Sequence, residues 1–263
     1  MTSLMFVTLK GVFRDRVFHG ILMTAVLFLF IPSVASLSLR QVTELSTTLA
    51  LSLISFILLL LAVFLGGTCF WKDMERRYSF SVLGLPMKRS SYLLGKFCGT
   101  ALFLFLVALL LLVVTLAVVF YASGIYPSTR PIAWGYIGLA VCYDALKYTI
   151  LIAFAFLFST VSTSFFLPIF GTVSLFLVGS ATQEAYDFIL TPTGQQLPGV
   201  VKAVAKGLYY ILPNFSAFDL KINAIYGIKV VGYGSFLTLA YFLVYTAMVL
   251  FLATVIFSRK ELK

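Results

Sequence analysis

Uncharged stretches divide the chain. Residues 20–39, 45–71, 97–129, 131–143, 148–183 and 230–258 contain no Asp, Glu, Lys, Arg or His. A helix that crosses a bilayer needs roughly 17–25 apolar residues. The first two stretches and the last therefore predict one span each. Residues 97–129 predict a long span followed by the loop Ser123-Gly124-Ile125-Tyr126-Pro127. The 36-residue run 148–183 is too long for one helix, and the polar stretch Ser159-Thr160-Val161-Ser162-Thr163-Ser164 breaks it. The result is six spans, at about 20–39, 46–70, 97–122, 132–158, 165–182 and 230–258. The expected fold is an all-α polytopic membrane protein made of one transmembrane domain.

Three segments fit none of these spans. Residues 3–18 place Met5, Leu9, Val12, Phe13 and Val17 on one side of a helix, with Lys10 and Arg14 on the other and Arg16 at the edge. That pattern predicts a helix lying along the membrane interface. The linker 72–92 is the most charged stretch. Met74, Tyr78, Val82 and Leu85 recur at helical spacing, and Gly84 and Pro86 stop the helix. It reads either as a plain basic loop or as a short helix able to dock in a groove of a soluble partner. Residues 184–228 are too polar to span and too apolar for a simple loop. They predict one helix over Pro198 to Leu212, with Lys202 and Lys206 on one face, and a second over 216–226.

Charge sets the expected orientation. Twelve of the nineteen basic residues precede span 1, lie between spans 2 and 3, or follow span 6. By the positive-inside rule that face, with both termini, is cytoplasmic. Lys202, Lys206, Lys221 and Lys229 fall on the other side, in a long segment of the kind that tolerates charge. Arg14, Arg16 and the following apolar run up to Ser33-Val34-Ala35 also resemble a cleavable signal peptide. Cleavage there would leave five spans.

Composition agrees with a membrane chain: 61% hydrophobic and 11% charged residues, against roughly 25% charged in soluble proteins. The net charge of +10 would suggest nucleic acid in a soluble domain. Here it belongs to helix ends, and no nucleic-acid partner is expected. Cys69, Cys98 and Cys142 have neither disulfide nor metal spacing, and His19 is the single histidine. No metal site and no histidine-based triad is expected. Asp144 and Lys147 are the ionisable residues deep within a span. Three apart, they share a helix face and can pair. An unpaired charge there costs about 2.5–3.5 kcal/mol or more. The pair fits either a helix-packing bridge or a polar element of a transport path. Gly95 and Gly99 permit close helix approach, and Pro32 predicts a kink in span 1.

Three motifs resemble the membrane subunit of ABC-2 type transporters, near the branch of nitrous-oxide-reductase-maturation and gliding-motility permeases. The first runs from Glu75-Arg76-Arg77 through Leu83, Pro86 and Arg89 to Leu93-Leu94-Gly95-Lys96. The second is Phe158-Ser159-Thr160 with Ser162, and the third Tyr209-Tyr210-Ile211-Leu212-Pro213-Asn214-Phe215 through Phe218-Asp219-Leu220-Lys221. Tyr78-Ser79 replaces the Gly-Thr found in many members. The resemblance implies an exporter permease in the inner membrane, paired with a second copy of itself and with two copies of a separate ATP-binding subunit. ATP and Mg would bind on that partner, and none on this chain. A periplasmic accessory protein would fit the same class. Residues 72–92 would be the coupling helix, with Glu75, Arg76, Arg77, Leu83, Pro86 and Arg89 as contacts. Leu212, Pro213, Asn214 and Phe215 would form the outer gate. The chain carries no G-x-x-x-x-G-K-[ST] phosphate loop. An ion-coupled carrier built on Asp144 and Lys147 is the alternative. It would be expected to show half-to-half repeats, which the sequence lacks. An intramembrane enzyme or an assembly scaffold is the third possibility, and the scarcity of intramembrane carboxylates and nucleophiles argues against the enzyme.

Overall fold

The computed structural model describes residues 2–13, 16–37, 41–75, 89–125, 131–230 and 232–259. All regular elements among them are helical. In chain order they are α1 (Thr2–Phe13), α2 (Arg16–Met23), a 3₁₀ segment (Thr24–Phe30), α3 (Ile31–Ala35), α4 (Val42–Glu75) and α5 (Arg89–Ile125). Then follow α6 (Trp134–Val161), α7 (Phe166–Leu190), α8 (Gly199–Ile211), α9 (Lys221–Tyr226) and α10 (Gly232–Arg259). Six stretches are long and apolar enough to cross a membrane: Phe18–Ala35, α4 as far as Asp73, α5, α6, α7 and α10.

Pro32 explains the break in the first stretch. In an α-helix the Phe28 carbonyl would accept from residue 32, and proline has no N–H to give. The Ile31 N–H donates to Phe28 instead, one residue earlier, and the helix tightens to 3₁₀ over Thr24–Phe30.

The central helix is α6. It packs against α4, α5, α7, α9 and α10, and from Tyr143 to Ala153 every side chain is buried. Glycines permit close crossings of α4. A Cβ on Gly66 of α4 would lie 3.1 Å from Ala155 of α6, and one on Gly67 would lie 3.3 Å from Ile169 of α7. Phe70, Phe156 and Phe257 then form a ring cluster joining α4, α6 and α10. By contrast α7 and α10 leave most of their apolar surface uncovered.

Several expected boundaries move. The span expected at 132–158 continues to Val161, because Ser159 and Thr160 turn their hydroxyls back onto the Ala155 and Leu157 carbonyls within the helix. The chain breaks at Ser162, whose hydroxyl bonds both the N–H and the carbonyl of Ser164. The span expected at 165–182 runs to Leu190. Gln183 donates to both oxygens of Asp187 one turn on, at 2.9 and 3.0 Å, so the polar end stays helical. The intervening segment therefore begins at Thr191 rather than 184.

The two ends of the linker 72–92 belong to the neighbouring spans. Residues 72–75 are the last turn of α4 and 89–92 the first turn of α5, since nothing between Trp71 and Glu75 breaks a helix. Residues 76–88, with Arg76, Arg77, Leu83 and Pro86, lie outside the described residues. The N-terminal segment also differs from a helix lying on lipid alone. α1 ends at Phe13 and rests directly on α5, where a Cβ on Gly99 would fall 2.8 Å from Thr8 Cβ and 3.1 Å from the Met5 carbonyl. The second expected short helix, 216–226, is split into a 3₁₀ turn (Ser216–Phe218) and α9. Asp219 Oδ1 caps the Lys221 N–H at 3.1 Å between them. Gly227, at φ +65°, ends α9 in the left-handed conformation that favours glycine.

Candidate functional site

Asp144 and Lys147 sit 10 and 13 residues into α6, about 15 and 20 Å along its axis. They are 3% and 5% exposed. The Lys147 ammonium donates to Asp144 Oδ1 at 2.5 Å. Ser55 of α4 donates to the other oxygen, Oδ2. The same ammonium lies 4.8 Å from the centroid of the Tyr148 ring. Two charges are thus removed from water only because each finds a partner. The serine locks the carboxylate to the neighbouring helix.

Lys147 also faces a cavity of about 350 Å³. Ser55, Phe56 and Leu59 of α4 form one wall, and Phe176, Ser180 and Glu184 of α7 another. The latter three are spaced by four residues and so fall on one helix face. Phe215, Ser216, Asp219 and Lys221 close the third side. That third side belongs to the segment between α8 and α10.

The segment is tied down residue by residue. Gly179 of α7 leaves room for it, since a Cβ there would lie 2.6 Å from the Pro213 carbonyl. The Phe215 N–H donates to the Gly179 carbonyl at 3.3 Å, and Ser216 Oγ to the Ser180 carbonyl at 2.9 Å. Asn214 makes three bonds. Its Nδ2 donates to Gln183 Oε1 at 2.7 Å, its N–H to Tyr241 Oη of α10 at 3.0 Å, and its Oδ1 accepts the Ser216 N–H at 3.1 Å. Phe215 is fully buried against Phe176. Leu212, half-buried, closes the end of α8 through its N–H on the Leu208 carbonyl. The four residues Leu212–Phe215 thus stand together on α7 and α10, beside the cavity.

A second polar cluster lies at the opposite end of the bundle. Asp73 of α4 pairs with Lys96 of α5 and accepts from Tyr92 Oη at 2.5 Å. Lys96 also donates to the Cys69 carbonyl at 3.2 Å. Arg89 reaches the Ser258 carbonyl of α10 at 3.3 Å. Arg89 and Glu75 therefore stand at the two roots of residues 76–88, Glu75 as the last residue of α4.

A family model described as ABC-2 family transporter protein matches residues 7–262. The chain belongs to the ABC-2 transporter family. No curated protein matched it. ABC-2 members are the membrane component of a transporter, lack an ATPase domain of their own and normally work with an ABC ATP-binding subunit. The protein is accordingly an integral membrane transport component.

Within this ABC-2 protein, the structure gathers Asp144 and Lys147, near the middle of α6, with Leu212–Phe215 against the C-terminal half of α7. It leaves Arg89 and Glu75 at the far end. Sequence reasoning missed Ser55, Glu184, Asp219 and the cluster Asp73–Tyr92–Lys96. The signal for Ser55 is a polar residue amid an apolar α4, weak by itself. The pairing of Asp73 with Lys96 could not be read from the sequence because it depends on the α4–α5 crossing.

Proposed function

We propose that the chain is the permease subunit of an ATP-driven exporter, working as a dimer with two copies of the ATP-binding subunit. In this reading the end carrying Asp73, Arg89, Lys96 and Arg259 faces the cytoplasm, with both termini, and the cell (inner) membrane holds the spans. Residues 72–92 receive force from the ATPase through Glu75, Arg76, Arg77, Leu83, Pro86 and Arg89. ATP and Mg reside on that partner. Leu212–Phe215 act as the outer gate. Among permeases, the motif order favours the nitrous-oxide-reductase-maturation and gliding-motility branch.

One observation carries this reading. α4 is an uninterrupted helix of 34 residues. It ends at Glu75, at the root of the linker, and holds Ser55 on Asp144 about 30 Å away. Asp73, Tyr92 and Lys96 bind α4 to α5 on either side of that linker. A push on residues 76–88 therefore moves both helices as one body, and α4 forms a wall of the cavity. The uncovered apolar faces of α7 and α10 suit lipid and a second copy.

The test pairs Glu75→Arg with Arg76→Glu. The wild-type chain is expected to co-purify with an ABC ATP-binding subunit. The reversed chain is expected to lose transport-linked hydrolysis by roughly tenfold or more, with helix content unchanged. Normal hydrolysis and transport in the reversed chain would refute the coupling role. Labelling of residues 72–92 from outside the cell would refute the orientation. The alternative, an ion-coupled carrier, draws on the position of Asp144–Lys147 beside a cavity. It predicts transport by the chain alone, driven by an ion gradient.

A further inference from the structure

The cavity beside Lys147 has features that residues 212–215 and the linker leave unexplained. Its charge is unbalanced toward the mouth. The lining holds two carboxylates, Glu184 and Asp219, and two ammonium groups, Lys147 and Lys221, and Asp144, behind the lining, neutralises Lys147. Lys147 is spoken for by Asp144, on the buried floor. Glu184, exposed at the mouth, has no hydrogen-bond or ion-pair partner among the described residues. Asp219 accepts a backbone N–H from Lys221 and lies within electrostatic reach of Lys147.

Its wall is aromatic. The rings of Tyr148 and Phe176 are 5.9 Å apart, and those of Phe176 and Phe215 also 5.9 Å. Three rings thus line the side between floor and mouth, with Phe56 opposite. Ring faces attract cations and give anions nothing. Lys147 already uses one of them, its ammonium resting 4.8 Å from the Tyr148 centroid. The volume, about 350 Å³, falls in the range of small-molecule sites, roughly 300–1,000 Å³.

We propose that this cavity binds an amphiphilic organic cation, with its charge at Glu184 and Asp219 and its apolar groups against Phe176, Phe215 and Phe56. An anion of the same size meets excess negative charge at the mouth and is rejected. A neutral compound gains the ring contacts but not the carboxylates. Identifying the cation as cargo rests on the permease reading; binding to the chain does not.

The experiment uses the full chain in lipid nanodiscs, without an ATPase, and two probes of like size and opposite charge: tetraphenylphosphonium and tetraphenylborate. Empty nanodiscs correct for partition into lipid. Saturable binding of the phosphonium is expected. Glu184→Gln with Asp219→Asn should weaken it about tenfold. Both changes lie at the cavity mouth, and Asn keeps the cap on the Lys221 N–H, so folding is preserved. Phe176→Leu, which keeps bulk and removes the ring face, should weaken the phosphonium severalfold more than the borate. Wild-type affinity for the phosphonium in the double variant would overturn the proposal. So would tighter saturable binding of the borate than of the phosphonium, or no saturable phosphonium binding. Phosphonium binding by the chain, together with normal hydrolysis by the ATP-binding subunit when it is paired with the Glu75- and Arg76-reversed chain, would refute coupling and leave the site standing.

Discussion

Replacing Asp144 by Asn leaves the Lys147 ammonium 5% exposed, with its ion-pair partner gone. Breaking a buried pair by removing one member costs about 3–5 kcal/mol, because the remaining charge stays desolvated. Lys147→Gln alone leaves the Asp144 carboxylate with Ser55 as its remaining side-chain donor, and should cost a similar amount. The double change, Asp144→Asn with Lys147→Gln, removes both charges and keeps two polar groups able to bond each other. It should lie within about 1–2 kcal/mol of wild type, since neutral replacements of buried pairs are often tolerated. The expected coupling in the double-mutant cycle is then about 4–9 kcal/mol, above the roughly 0.5–3 kcal/mol usual for contacting residues. Thermal unfolding of the purified chain in nanodiscs measures it. Each single change should lower Tm by roughly 6–20 °C, taking about 2–4 °C per kcal/mol for a chain of this size, and the double change should recover most of the loss. A double variant as unstable as either single one would refute the pairing argument. If the double variant regains stability but transport stays as low as in the single variants, the pair acts in the transport path as well as in packing.

Two further outcomes follow from close contacts. Gly99→Val should displace α1 from α5, because the new side chain meets Thr8 and the Met5 carbonyl; a loss of about 1–3 kcal/mol and faster proteolysis near residues 2–13 are expected. Asn214→Ala should remove the bonds to Gln183 Oε1 and from the Ser216 N–H and cost about 1–3 kcal/mol. Limited proteolysis should then cut the 191–230 segment before any span, and unchanged cutting there would show that Gly179 and Phe215 suffice to hold it.

How much was visible in the sequence depends on the range of the interaction that decides each feature. The all-α fold and the number of spans are legible because a bilayer demands long apolar stretches, and charges mark their ends. The helix over residues 199–211 was legible from its periodicity, and Pro32 marked a real break. Ends were less legible. Polar residues read as loop when they lie one turn beyond the apolar core, yet Gln183 and Asp187 satisfy each other within α7, and Ser159 bonds back to its own helix. Asp144 and Lys147 could be paired from spacing alone, since i and i+3 are neighbours on any helix. Ser55 could not, because it is 89 residues away. Glu184 and Asp219 were invisible as cavity residues for the same reason. Their place depends on Gly179 admitting the Pro213 backbone.

The glycines show why the two ends of the molecule are mechanically linked. Gly66 and Gly67 are consecutive on α4 and face different helices, α6 through Ala155 and α7 through Ile169. At this level α4 touches both neighbours at near-backbone distance, with little side-chain cushion to absorb a shift. Above it α4 carries Ser55 to Asp144, and below it Asp73 to Lys96. A displacement of the Glu75 end therefore passes through a tight three-helix crossing before it reaches the cavity wall. Close packing of this kind moves between discrete arrangements rather than deforming smoothly. Sliding α4 by one contact would leave Asp144 without its serine and change the distance between Phe56 and Phe176 across the cavity. In this geometry a force applied at the linker changes the shape of the cavity and the hydrogen bonding of its charged floor in one step.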